Sequence, residues 1–139
     1  MGMNALLSAS SDRPNFSNPG YLNANGLEMI GDKTLLEHQV DALLQNGVDN
    51  VYVVLPKGSE EETRFLQTKG GVHPIFLSKP LGTGGAIALA PLDDDLLFVP
   101  GNFFFEVDIP SMLRFHRERE ALLTCLSRPE AHPEKKDVL

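Results

Sequence analysis

The run LLFVPGN, residues 96–102, carries a polar side chain to the tip of an apolar segment. Residues 96–99 read as a short buried strand, and Pro100-Gly101 breaks it as turn chemistry does. α/β folds place their working residues just past such a break, and here Asn102 stands there rather than a carboxylate. Glu106 and Asp108 lie two apart in FEVD, a spacing that puts both on one face of a strand. Asp108, just ahead of Pro110, is instead the expected cap of the following helix. A second candidate is LGTGGA, residues 81–86, a glycine turn opening a short helix, where glycine supplies backbone freedom. The other chemistry-bearing residues form no constellation. His38, His73, His116 and His132 lack metal-ligand spacing, and the aspartates at 93–95 read as a solvated turn. Cys125, in the strand-like ALLTCLSR, is expected to be buried packing.

Bulk properties narrow the partners. The chain has 139 residues, 42% hydrophobic and 22% charged, the length of one domain with an ordinary soluble composition. A net charge of −7 opposes capture of nucleic acid, which needs clustered Lys and Arg. A phosphorylated small molecule needs only a few groups and stays open. The single cysteine excludes an internal disulfide and fits a reducing compartment. No apolar run approaches the roughly 18 residues of a membrane helix. The first positive residue is Arg13, which makes the start a poor signal peptide, and Leu6 stands where a myristoylation signal wants Ser or Thr. The expected location is the cytoplasm, with no membrane or nucleic-acid partner.

The elements that must position these residues alternate. NALLSA is the first strand candidate. Residues 8–26 hold 12 Ser, Asn, Pro or Gly among 19, so the expectation is a mobile loop. Then TLLEHQVDALLQNG predicts a helix with Leu35, Leu36, Val40, Leu43 and Leu44 on one face, a Thr34/Glu37 capping box and Gly47 as its stop. NVYVVLP is a β-branched strand. SEEETRFLQTKGG predicts a second helix capped by Ser59 and Glu62, and VHPIFL a strand that Pro74 confines to an edge. LLFVP, then a helix PSMLRFHRERE with Leu113 and Phe115 inward, then a strand ALLTCLSRP complete the series. Such alternation predicts a single α/β domain over residues 1–139, a mostly parallel sheet with helices on both faces.

On that topology, residues 31–139 resemble the first half of the sugar-1-phosphate nucleotidyltransferases, of the mannose-1-phosphate guanylyltransferase kind. The pieces that carry the resemblance are IGDKTLLEHQVDALLQNGVDNVYVV, PLGTGGAIALA, GNFFFEVDI and LRFHREREALLTCLSRPEAHPEKKDVL, in the family's order. The resemblance implies a Rossmann-like nucleotidyltransferase fold. It also implies attack by a sugar phosphate on the α-phosphate of a nucleoside triphosphate, with pyrophosphate released. Catalysis of that kind rests on positioning and on neutralising developing charge.

The family's parts map unevenly onto this chain. The glycine-rich phosphate loop after the first strand has no counterpart, since no glycine occurs between Gly2 and Gly20. Arg13 is the candidate for the family's catalytic arginine, although counting from Ala5 sets it where a glycine belongs. The family's Pro-Lys-Pro lysine falls on Ala24, Asn25 and Gly26 and is absent; Lys33 matches a following structural turn. Gly82, Thr83 and Gly84 match the turn whose backbone contacts the nucleobase. Asn102 stands where the family's aspartate binds Mg²⁺, with an oxygen of similar reach but without the full charge. Family members continue well beyond the point matching EKKDVL, so the chain is expected to be a fragment, or completed by a partner chain or second copy. The expectation is a nucleotidyltransferase-like domain inactive alone, with a non-catalytic nucleotide-binding or regulatory module and a molybdopterin guanylyltransferase-like protein as the alternatives.

Overall fold

The computed structural model describes residues 3–11, 23–24, 27–61, 63–79, 82–90, 95–100 and 108–125. Residues 1–108 and 109–139 form two compact units. In the first, β1 (Asn4–Ser8), β2 (Asn50–Pro56), β3 (Val72–Leu77) and β4 (Leu96–Pro100) make a parallel sheet in the order β3-β2-β1-β4. Central β1 uses the same five residues on both sides, pairing Asn4 to Ser8 with residues 50–54 and with residues 96–100. Ala5, Leu6 and Leu7 are all fully buried. A continuous apolar run, rather than alternation, is what a strand covered on both faces requires.

The register is pinned at the amino end. The Met3 amide donates to Asp49 Oδ2 (3.2 Å), the Asp49 amide donates to the Met3 carbonyl (2.9 Å), and Asn50 Nδ2 donates to Asn4 Oδ1 (3.1 Å). A slip of one residue would turn each apolar set to the wrong face.

Helix α1 (Leu35–Gln45) begins and ends as its sequence predicts. The Glu37 amide donates to Thr34 Oγ1 at 3.1 Å. At the other end the Gly47 amide reaches the Leu44 carbonyl and the Val48 amide the Leu43 carbonyl, both at 3.2 Å, with Gly47 at φ 90°. Leu35, Leu36, Val40 and Leu43 are buried, and α1 contacts β2. The short α2 (Gly82–Ile87) lies against the other face, where Ala86 and Ala90 pack with Leu6 and Val54. Opposite faces follow from handedness. The crossover from β1 to β2 steps outward and that from β3 to β4 steps back past β1, so two right-handed crossovers cover different sides.

β3 is an edge of the described sheet, as Pro74 requires. The Val51 amide donates to the Gly71 carbonyl (2.8 Å) and the Lys57 amide to the Leu77 carbonyl (2.7 Å), so the odd-numbered residues of β3 bond toward β2. Pro74 faces outward, where its missing N–H forfeits nothing.

The structure corrects other expectations. The described residues 59–61 and 63–71 form turns and a 3-10 helix (Arg64–Thr68) rather than an α-helix. Ser59 Oγ turns back to donate to the Pro56 carbonyl (2.6 Å), and Thr63 Oγ1 donates to the Ser59 carbonyl (2.7 Å). Hydroxyls that serve local carbonyls in this way compete with α-helical pairing, and among the described residues of this stretch Leu66 is the one fully buried apolar side chain to reward it. Glu62 lies outside the described residues. The segment 8–26 falls mostly outside them too, but Ser10–Ser11 pairs antiparallel with Asn23–Ala24.

The second unit holds α3 (Ile109–Glu118), entered through Pro110. Phe115 is exposed rather than inward, with the Arg119 guanidinium 3.8 Å from its ring centroid. Residues 121–125 are not a strand, and Leu122, Leu123 and Cys125 are exposed. Strand propensity is realised only where a neighbouring strand offers a ladder. Among the described residues no helix is long and apolar enough to cross a membrane.

Among the described residues, a cluster of opposite charges braces α1. Lys33 Nζ lies 3.0 Å from Asp41 Oδ2, and Lys69 Nζ lies 2.8 Å from Asp41 Oδ1 and 3.2 Å from Glu37 Oε2. Burial pushes the Asp41 carboxyl up, but the hydrogen bonds from Lys69 and Lys33 outweigh it and hold the carboxyl below its usual value. Its hydrogen bond to Asp41 raises the Lys69 ammonium.

Two outcomes are expected. A Cβ at Gly71 (φ 80°) would lie 2.6 Å from the Asp49 carbonyl oxygen, whereas one at Gly47 meets nothing within 4 Å. Gly71→Ala should therefore cost about 3 kcal/mol and Gly47→Ala only about 1 kcal/mol in urea unfolding, and equal losses would contradict the close approach. Asp41→Asn should cost on the order of 1 kcal/mol at neutral pH, since the pairs are partly exposed. A lowered carboxyl stabilises fully above the ordinary value of about 4 and loses that contribution as pH falls through the lowered one. The difference in thermal midpoint between the two proteins should thus be constant from about pH 5 to 8 and shrink below about pH 4; a constant difference down to acid would refute the assignment.

Candidate functional site

In an open parallel sheet, ligands sit at the carboxyl edge, where the strand order reverses. Here the chain winds outward from β1 through β2 to β3 and returns to place β4 on the other side of β1, so the reversal lies between β1 and β4. Ser8 and Pro100 stand level in the register. The segments that carry Arg13 and Asn102 therefore leave the sheet from adjacent strand ends. Arg13, Asn102 and Glu106 themselves lie outside the described residues. Asp108 is described, exposed, immediately before α3.

Past β1 the backbone stays tied to the sheet. The Ala9 amide donates to the Val54 carbonyl at 2.8 Å. Ser10 then pairs with Ala24 and Ser11 with Asn23, and both arms of this small ladder contact β2. Ala24, the first residue of the tripeptide onto which the resemblance maps Pro-Lys-Pro, is thus held at the carboxyl edge beside the end of β1, while Asn25, the position of its lysine, lies outside the described residues. Lys33 is elsewhere, engaged with Asp41 on α1, which is a structural duty.

β2 and β3 leave the same edge through ordered turns. Lys57 follows β2 directly, its amide held by Leu77, and Gly58 takes φ 103° so that Ser59 can fold back on Pro56. Ser78 and Lys79 follow β3, both exposed. Sequence reading passed over these lysines. The signal available was position alone, since each comes within two residues of the end of an apolar strand.

Gly82, Thr83 and Gly84 are the first three residues of α2, not a turn ahead of it. That changes what glycine does there. Gly84 is exposed, its backbone lies outside the left-handed region, and a Cβ on it would meet nothing within 4 Å. Packing and backbone geometry would both accept alanine, which a helix prefers by about 1 kcal/mol. Neither packing nor backbone conformation in the described structure calls for glycine at this position.

Magnesium requires carboxylate or phosphate oxygens. The described segment following β1 reads Ala9, Ser10 and Ser11, without a carboxylate, and among the described residues no group of three His, Cys, Asp or Glu could hold a metal ion. The described residues by themselves assemble no Mg²⁺ site, and Asn102 and Glu106 lie outside them.

Comparison with known proteins places these features. The model of a family described as nucleotidyl transferase matches residues 25–135. The bifunctional protein GlmU of Methanococcus vannielii is 29% identical over 103 residues, covering 73% of this chain and 24% of that protein. HddC from Yersinia pseudotuberculosis superposes with a TM-score of 0.67 at 19% identity, over 81% of this chain and 53% of that one. The 4-diphosphocytidyl-2C-methyl-D-erythritol synthase of Anaerococcus prevotii gives 0.63 at 16% identity, over 84% and 52%. The chain thus spans about a quarter of that curated relative and about half of these solved neighbours.

Proposed function

The chain belongs to the nucleotidyl transferase family, and from that membership we propose that it forms the nucleotide side of a site that joins a nucleoside triphosphate to a sugar 1-phosphate, without turning substrate over by itself. In such a reaction a phosphate oxygen of the sugar phosphate attacks the α-phosphorus, and the bond to the bridging oxygen of the β-phosphate breaks, releasing pyrophosphate. The observation that carries this reading is Gly84, a helix-opening glycine that neither packing nor backbone conformation requires. On this reading the backbone of Gly82, Thr83 and Gly84 receives the nucleobase, and the phosphates are assigned to Arg13 and Asn102, which come after the adjacent ends of β1 and β4 in the chain. The sugar phosphate as second substrate rests on the sequence resemblance described above. The Anaerococcus prevotii synthase is named for a diphosphocytidyl compound, in keeping with nucleotide chemistry on this fold.

Absence of turnover is supported by what stands at the charge-handling positions. The segment after β1 has no glycine before Gly20, Ala24, Asn25 and Gly26 replace the lysine tripeptide, and Asn102 replaces an aspartate. The loss of one such electrostatic contributor costs on the order of 10²–10³ in rate, and three are altered here.

Two measurements test the reading. Pyrophosphate release from each ribonucleoside triphosphate, with Mg²⁺ and a panel of hexose 1-phosphates, is expected to stay at background; release that depends on the sugar phosphate would overturn the inactivity. Gly84→Ala should leave stability unchanged or raise it by up to about 1 kcal/mol, while lowering nucleotide affinity in calorimetry at least about tenfold. A variant that binds nucleotide as the parent does would remove the observation on which the reading stands.

A further inference from the structure

The lysines of residues 1–108 divide by place. Of the four, Lys33 and Lys69 are committed to Asp41, and Lys69 to Glu37 as well, along α1. Lys57 and Lys79 are exposed, and among the described residues neither enters an ion pair. Both stand at the carboxyl edge of the sheet, the first just past β2 and the second just past β3.

Their backbones are close and built. The Lys57 amide donates to the Leu77 carbonyl at 2.7 Å, so only two residues of chain, roughly 7 Å, separate that contact from Lys79. The Lys57 turn is fixed by Gly58 at φ 103° and by Ser59, whose buried hydroxyl donates to the Pro56 carbonyl. The nearest described carboxylate in the chain, Glu60, is drawn onto the Gly58 amide at 2.8 Å, and Glu61 is exposed. Lys79 in turn leads by three residues into Gly82. The ladder that carries Ala24 contacts β2 as well, so Lys57 shares an edge with the residue that begins the tripeptide in which a lysine is missing.

We propose that Lys57 and Lys79 are phosphate-binding cations of this chain, receiving the phosphates of a nucleoside triphosphate in place of the lysine absent from residues 24–26; the proposal rests on the nucleotide-binding reading above. Lysine is a compact point charge on a flexible stem, which suits a polyphosphate whose exact pose differs from that of the family. In a chain of net charge −7, local cations at the site decide whether a polyanion can approach.

The test is calorimetric titration of the four ribonucleoside triphosphates, the matching nucleosides and glucose 1-phosphate into the parent, Lys57→Ala, Lys79→Ala and the double variant. Each single variant should weaken the preferred triphosphate about tenfold, with nucleoside affinity unchanged. The loss should shrink at about 0.5 M salt, and Lys57→Arg and Lys79→Arg should restore most of the affinity. Both side chains are exposed, so thermal midpoints should match the parent and exclude misfolding. An unchanged triphosphate affinity in the double variant overturns the proposal and leaves the nucleotide reading standing. A loss confined to glucose 1-phosphate overturns it too, assigning the lysines to the other substrate. A parent chain that binds no nucleotide overturns both.

Discussion

Everything at the carboxyl edge depends on β1 being shared. Five residues, Asn4 to Ser8, bond to β2 on one side and β4 on the other, and the strand is buried on both faces. That double pairing makes β1 the point from which the chain departs in two directions. It is why the end of a strand far along the chain, at Pro100, stands level with Ser8. The Met3–Asp49 exchange at the opposite end holds the arrangement in register, and the Gly71 backbone passes so close to the Asp49 carbonyl that no side chain fits between them. The amino edge is therefore where the sheet is locked and the carboxyl edge where its loops are left to differ.

The two helices of the first unit illustrate that division. α1 is built for stability, with a capped start, a glycine-terminated end and a side buried against the sheet. α2 is six residues long and opens on glycines; its Ala86, with Ala90 just beyond its end, is buried in a cluster with Leu6 and Val54, against which Ile87 packs half-buried. Small residues let the helix backbone lie near the sheet, and the glycines leave its start uncovered. A helix chosen for stability would use neither.

Charge follows the same geography. Asp41 gathers two lysines around α1, where a partly buried carboxylate gains from cations brought by distant segments. At the carboxyl edge Lys57 and Lys79 are exposed and enter no ion pair among the described residues, which leaves their charge available to an incoming anion. Among the described residues no group of three His, Cys, Asp or Glu gathers to hold a metal ion.

What the amino-acid sequence determined by itself was local and periodic. The 3.6-residue spacing of Leu36, Val40 and Leu43, the Thr34 cap and the Gly47 stop act within a few residues of each other, so α1 was legible. The strand–helix alternation, Pro74 at an edge and the family motifs were legible for the same reason. The tertiary structure decided what depends on segments far apart in the chain. It left residues 121–125 without a ladder, exposing Cys125, because a strand needs a neighbour to exist. It turned the Ser59 and Thr63 hydroxyls onto nearby carbonyls and so replaced a predicted α-helix with a 3-10 turn. It also brought Lys69 to Asp41 across 28 residues, and set Lys57 beside Leu77. Neither neighbour is written in any spacing, because sheet order, not sequence distance, fixes which loops meet.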